Sequence, residues 1–382
     1  MLSKKIKNNN GITLVALVVT IIILLILATI SIQSLTNTGL FKKAQEAKEK
    51  TQNAEENQAK TLNEYEDELN KYISGDVKTP IKKVTDNIDS VVSTTDNTEL
   101  EDAYGNKIVV PAGFKIVSNS DTNNATTVDK GIVIEDATTG ATAGSQFVWV
   151  PVGTIYTDAE HTDENKKIIE LNRYTFDKNG NPTPQGEKVI ETYYQELETS
   201  NKGNTVAKDI NGFKASAEAN GGYYIGRYEA RKNAASGKLT LVKTDNIWNK
   251  ITQPDAATQS RNMYQNSITF TSDLTNSYAW DTATLFLQTC GNNSTPYSRQ
   301  NSLNTSLTSL GTINDVQCNV YDMASNLAEW TTETTSNSTN FCTSRGGNCN
   351  DRGNTYSNYR GADSIYVNIN IIGFRTIIYI NI

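Results

Sequence analysis

Apolar and polar positions are unevenly spread along the chain. Residues 12–32 read ITLVALVVTIIILLILATISI and carry no charge. A membrane-spanning helix needs about 20 apolar residues, so this run predicts one. Lys4, Lys5 and Lys7 precede it, which predicts a cytoplasmic N-terminus and an external C-terminal domain. The run is longer than the apolar core of a signal peptide, so an anchor is expected to stay attached. Strong helix formers follow over 40–73, with opposite charges four apart, such as Glu46 and Lys50. A weak apolar stripe through Leu40, Ala44, Ala47, Leu62, Tyr65 and Leu69 predicts a helix over 12–73, roughly 90 Å long if unbroken.

The pattern then changes. Residues 74–104 show no sustained period and many Thr, Ser and Asp, and read as a tether. Short runs rich in Val and Ile, bounded by turn residues, predict strands at 107–110, 114–117, 131–134, 146–152 and 223–228. Residues 153–220 are polar, with a short helix expected near 191–198. Residues 277–287, SYAWDTATLFL, are the best helix beyond the tether, with Ala279, Ala283 and Phe286 on one face. The expected fold class is α+β: a long N-terminal transmembrane helix, then a domain over 105–382 with much irregular structure.

Composition and charge exclude several functions. Net charge is −7, which argues against a protein that tracks nucleic-acid phosphates. His161 is the single histidine, so a Ser-His-Asp or Cys-His unit would rest on one residue in a charged stretch. Four cysteines in 382 residues do not make a disulfide scaffold.

The N-terminus resembles a type IV prepilin. A basic leader over 1–11 ends in Gly11, and Ile12-Thr13-Leu14-Val15 opens the apolar helix. The resemblance implies cleavage between Gly11 and Ile12, methylation of the new terminus, and pilin-like subunits and a prepilin peptidase as partners. Ala16 stands where that family normally has a Glu that pairs with a neighbour during assembly.

Six separated segments resemble, in order, the formylglycine-generating enzyme or sulfatase-modifying-factor domain. They are FVWVPVG (147–153), GGYYIGRYEAR (221–231), SYAWDTATLFL, NVYDMASNLAEWT (319–331), SRGG (344–347) and IIGFR (371–375). The resemblance implies a C-type-lectin-like fold and a calcium site near 322–329, with Asn326 and Glu329 as candidate Ca²⁺ ligands among oxygen-rich neighbours. A side-chain network bracing a loop is an equal alternative there. Arg375 is expected to pair with Glu329 or Asp322. That family's oxidase chemistry needs two copper-binding cysteines after RGG, and Asp351 and Tyr356 stand at those places. Formylglycine generation is therefore rejected. Cys342 with Cys349, and Cys290 with Cys318, are candidate disulfides or free buried thiols.

Residues 348–371, NCNDRGNTYSNYRGADSIYVNINI, hold no Lys, Glu, Gln, Trp or Met. Tyr offers contact area at low entropy cost, and Asn, Ser and Gly offer adaptable hydrogen bonds. The stretch resembles the variable region of proteins diversified by retroelements at Asn codons. Candidate ligand contacts are Asn348, Asn350, Arg352, Asn354, Tyr356, Asn358, Tyr359, Asp363, Tyr366 and Asn368, of which strand alternation exposes only some. The expected function is display of a binding domain, in the membrane or in a filament, for an extracellular protein or glycan. The alternatives are a formylglycine-type oxidase with a displaced site and a structural minor pilin.

Overall fold

The computed structural model describes residues 14–37, 81–199, 205–243, 247–312, 314–336, 338–351 and 355–382, with isolated positions at 48, 50, 51 and 62. The chain divides into two compact units, Met1–Thr79 and Pro80–Ile382.

In the first unit, helix α1 spans Leu14–Asn37. Among the described residues, no helix is long and apolar enough to cross a membrane. The expected transmembrane, prepilin-type anchor and single-pass placement are corrected accordingly. The expected cleavage site at Gly11 and Ile12, and the continuation of the helix toward 73, lie outside the described residues apart from the isolated positions.

The second unit is mostly β-sheet, which corrects the expected fold class. Its centre is a six-stranded antiparallel sheet. In chain order the strands are β1 (Phe114–Val117), β2 (Val133–Asp136), β3 (Gln146–Pro151), β4 (Gly222–Gly226), β5 (Phe270–Leu274) and, last in the chain, β10 (Thr376–Ile380). Their spatial order is β5-β10-β4-β3-β2-β1. These strands are apolar on both faces, because both are covered. Phe147, Trp149, Tyr224 and Ile378 enter one core. Val148, Val150, Tyr223, Ile225, Ile377 and Tyr379 enter the other. Continuous runs such as FVWV and TIIYI follow from that double burial.

Three helices cover the sheet. α2 (Ile210–Asn220) starts at Asp209, whose carboxylate accepts the Gly212 N–H. α4 (Ser277–Cys290) starts at Asn276, which accepts the Ala279 N–H at 2.8 Å. Both pack on the second core. α3 (Gln253–Met263) starts at Thr252 and presents Ala256 and Ala257 to the first core. Such caps satisfy the otherwise orphaned amides of a first helical turn.

The expected tether is corrected at its end. Thr98–Glu101 pairs with Lys107–Val110 and with Lys82–Lys83 in a three-stranded sheet. Val84 and Leu100 are fully buried. Two apolar side chains at the right positions fix a segment that otherwise reads as linker. The expected helix near 191–198 is also corrected, since Tyr194–Gln195 is a short strand.

A second sheet carries the C-terminal motifs. It contains β6 (Ala328–Thr335), β7 (Ser338–Arg345), β8 (Arg360–Ser364) and β9 (Ile372–Phe374). β7 lies between β6 and β8, and β9 pairs in parallel with β6. Trp330 on β6 is fully buried and donates its indole N–H to the Ile251 carbonyl at 2.9 Å.

β6 is tied to the end of β9 by a buried ion pair. Arg375 donates from Nε and Nη2 to Glu329 at 3.1, 3.0 and 2.6 Å. Glu229, Asp315 and Asp322 are buried around it. Burial, with Asp315 adding, pushes the Asp322 carboxyl up to about 8, and its Oδ1 has no hydrogen-bond partner among the described residues. An unfolded Asp loses its proton near pH 4. The native chain thus holds the extra proton up to about pH 8, and stability falls as pH rises through that window. Asp322→Asn removes this titration. Urea unfolding at pH 5 and pH 8 should show the fall in stability between them shrinking by roughly 1–3 kcal/mol, and an unchanged fall would refute the assignment.

Candidate binding face

The candidate face is built on a buried charge network. Glu333 on β6, Arg345 on β7, Arg360 on β8, Asp281 on α4 and Arg173 from the preceding loop converge, all buried. Arg173 reaches Glu333 at 2.6 Å. Arg345 pairs with Asp281, and with Glu333 at 3.4 Å. Arg360 pairs with Asp281, and with Glu333 at 3.1 Å. Burial pushes the Glu333 carboxyl up, but Arg360, Arg345 and Arg173 outweigh it and hold it down at about 2. Glu196 lies beside them and accepts from Ser277 and Thr332 at 2.6–2.7 Å. Burial raises its carboxyl to about 6.

This network holds both ends of a chain excursion. Arg345 and Arg360 are register partners across β7 and β8. Gly346 turns the chain out with φ +78°, and a Cβ there would lie 2.3 Å from the Met323 carbonyl oxygen. Left-handed backbone and that close approach both demand glycine. On return, the Trp280 indole donates to the Ser357 carbonyl at 2.9 Å, and the Ser357 hydroxyl to the Tyr297 carbonyl at 2.5 Å. Arg345 Nε donates to the Tyr359 carbonyl at 3.0 Å.

The candidate contacts divide by orientation. Asn350, Tyr359, Tyr366 and Asn368 are exposed, Tyr359 at 46% and Tyr366 at 65%. Ala362, Ile369 and Asn370 are exposed beside them. Asn358 and Asp363 are half-buried, and Asp363 accepts the Ser344 hydroxyl at 2.5 Å. Asn348 is buried and shapes a turn, accepting the Asn350 N–H at 2.8 Å while its own N–H reaches Asp351 at 2.7 Å. Tyr356 is half-buried, with the Arg299 guanidinium 3.7 Å from its ring centre. Arg352 and Asn354 lie outside the described residues. Burial raises the Tyr359 hydroxyl, with Asp363, Asp351, Tyr193 and Glu191 adding to the effect. It therefore stays a neutral donor, facing acidic and aromatic neighbours.

Other candidate residues are engaged elsewhere. Glu329 gives both oxygens to Arg375. Asn326 donates to Glu229 at 2.7 Å and accepts the Thr308 N–H at 3.1 Å. Among the described residues, no group of three or more His, Cys, Asp or Glu is arranged to hold a metal ion. All four cysteines carry free thiols. Sequence reasoning missed Arg173, Asp281, Glu333 and Tyr193. Asp281 gave a usable signal, a lone acid in an apolar helix.

No protein-family model matches the chain, and no curated protein matches it. The resemblances to prepilins and formylglycine-generating enzymes therefore find no support there. Among solved structures, variable protein 1 of Treponema denticola is similar, with TM-score 0.36 and 11% identity over 63% of this chain and 98% of that one.

The network predicts unequal costs for two aspartates. Removing one partner from a buried ionic cluster leaves an uncompensated charge. Asp281→Asn is therefore expected to cost about 3–5 kcal/mol in urea unfolding. Asp363→Asn, at the half-exposed face, should cost below about 1 kcal/mol. Comparable losses would refute the division between floor and face.

Proposed function

We propose that the chain is a binding protein and that residues 350–370 form its ligand face. The observation that carries this reading is the split within one segment. Ser357 and Arg360 are locked inward, whereas Tyr359, Tyr366, Asn350 and Asn368 point out with few intramolecular duties. A pre-ordered backbone lowers the entropy cost of binding. Exposed Tyr and Asn supply contact area and adaptable hydrogen bonds. The ligand we favour is a protein or a glycan, recognised mainly by Tyr359 and Tyr366. The composition of 348–371 further supports diversification of this segment by a retroelement acting at Asn codons.

An oxidase of the formylglycine type is the rival reading, and the residues disfavour it. Asp351, at one of the two thiol positions of the resembled family, accepts from the Asn348 N–H and the Thr355 hydroxyl. Tyr356, at the other, lies against Arg299.

The full chain should be screened on protein and glycan arrays, and any ligand then titrated. Tyr359→Ala and Tyr366→Ala should each weaken binding by about 10-fold or more with an unchanged melting temperature. Ile168→Ala, an exposed position on a separate two-stranded sheet, should leave affinity unaltered. Ligand binding untouched by both tyrosine changes would overturn the proposed face, and copper-dependent oxidation of a Cys-containing peptide would overturn the binding reading itself. Sequencing of the flanking DNA tests diversification separately. A near-copy of the codons for 344–375, differing at adenines and beside a reverse transcriptase, is the expected result.

A further inference from the structure

Two cysteines, Cys290 and Cys318, line one cavity that none of residues 348–371 enters. α4 ends at Cys290, and residues 317–319 run against the chain just beyond it. Gln317 Oε1 accepts the Asn292 N–H at 2.8 Å, and a Cβ built on Gly291 would lie 2.4 Å from that same oxygen. The two segments therefore touch. Cys290 and Cys318 flank this contact, are both half-buried, and line one cavity of about 310 Å³. Both also pack against the same apolar core.

The loop side of this contact is held from several directions. Cys318 has φ +44° and Asn319 φ +64°, a backbone that persists only where its surroundings over-determine it. A Cβ on Gly131 would lie 1.9 Å from the Cys318 carbonyl oxygen, so only glycine lets the loop approach. Asn319 Nδ2 donates to the Gly131 and Thr122 carbonyls at 2.8 and 3.1 Å. The Cys318 thiol donates to the Asp129 carbonyl at 3.5 Å.

We propose that Cys290 and Cys318 are a disulfide-forming pair, a staple between the end of α4 and the 317–319 loop. The oxidant class is a small-molecule disulfide such as glutathione disulfide. One cysteine thiolate attacks a glutathione sulfur and releases one glutathione thiolate. The second cysteine then attacks the mixed disulfide and releases the other. Two S–H bonds and one S–S bond break, one S–S bond forms in the protein, and two glutathione thiols carry away the electrons and protons. α4 also carries Asp281 toward its start, so the staple would fix the far end of a helix that contributes to the buried charge network.

The surroundings set the rate of closure. Burial, with Asp129 adding and Lys167 and Lys130 opposing, pushes the Cys290 thiol up to about 12. Burial also raises Cys318, with Cys290 and Asp129 adding and Lys130 opposing. Thiolate is scarce at neutral pH, so closure should speed up about tenfold per pH unit between pH 7 and 9.

The test treats the native full-length chain with glutathione disulfide, alkylates it, and digests it without reduction. The expected result is an intact mass lower by about 2 Da and one linked peptide pair containing Cys290 and Cys318. Cys342 and Cys349 should be recovered alkylated. Melting temperature should rise by about 5 °C or more and fall back on adding dithiothreitol, and Cys318→Ser should show no such rise. A persistent glutathione adduct, a different pair, four alkylatable thiols, or a linked pair without a rise in melting temperature would each overturn the staple.

Discussion

The C-terminal half depends on one buried electrostatic constraint. Asp281, Glu333, Arg173, Arg345 and Arg360 come from four elements and one loop, and none is satisfied by its own element. Each charge costs several kcal/mol to desolvate, and only a complete set repays that cost. The elements are thus placed together or not at all. Apolar packing alone would hold β7 and β8 together but would tolerate sliding. A guanidinium that must meet two carboxylates on different elements permits one register.

The same constraint separates the floor from what it carries. Arg345 and Arg360 clamp the two ends of the 346–359 excursion, and Arg375 with Glu329 clamps the chain after β9. Among the described residues between the clamps, several fixed contacts are made by backbone groups. The Ser357 and Tyr359 carbonyls accept from Trp280 and Arg345, and the Ser357 N–H donates to the Gln300 carbonyl at 3.0 Å. Backbone contacts ask little of side-chain identity. Outward positions such as 350, 359, 366 and 368 can therefore change with small effect on the fold, as a face with changeable contacts requires.

The central sheet was legible because both its faces are buried. FVWV and YYI could only be strands inside a core, and α4 announced itself by its apolar face. The end of the tether was illegible, since Val84 and Leu100 are lone apolar residues among polar ones. The charge network was illegible for another reason. Asp281 and Glu333 meet partners up to 160 residues away; the polar run TTETT makes Glu333 look like an ordinary solvated acid, and the apolar helix around Asp281 marks it as unusual without naming its partners. The apolar N-terminal run was over-read. Sequence hydropathy predicted a membrane span, whereas no described helix is long and apolar enough to cross a membrane.

Composition and orientation also report different things about the candidate face. The Asn- and Tyr-rich make-up of 348–371 suggested ten contacts, but Asn348 spends its side chain on a turn and Tyr356 packs against Arg299. A polar, low-charge segment signals freedom from core packing, and that freedom has two uses. Some residues spend it on Asx turns and on stacking that hold the excursion in shape. Others carry it to the surface. The face we propose is then smaller than the composition implies, with its exposed side chains at Asn350, Tyr359, Tyr366 and 368–370. Acidic groups near Tyr359 make that patch complementary to a ligand offering hydrogen-bond donors more than to one offering carboxylates or phosphates.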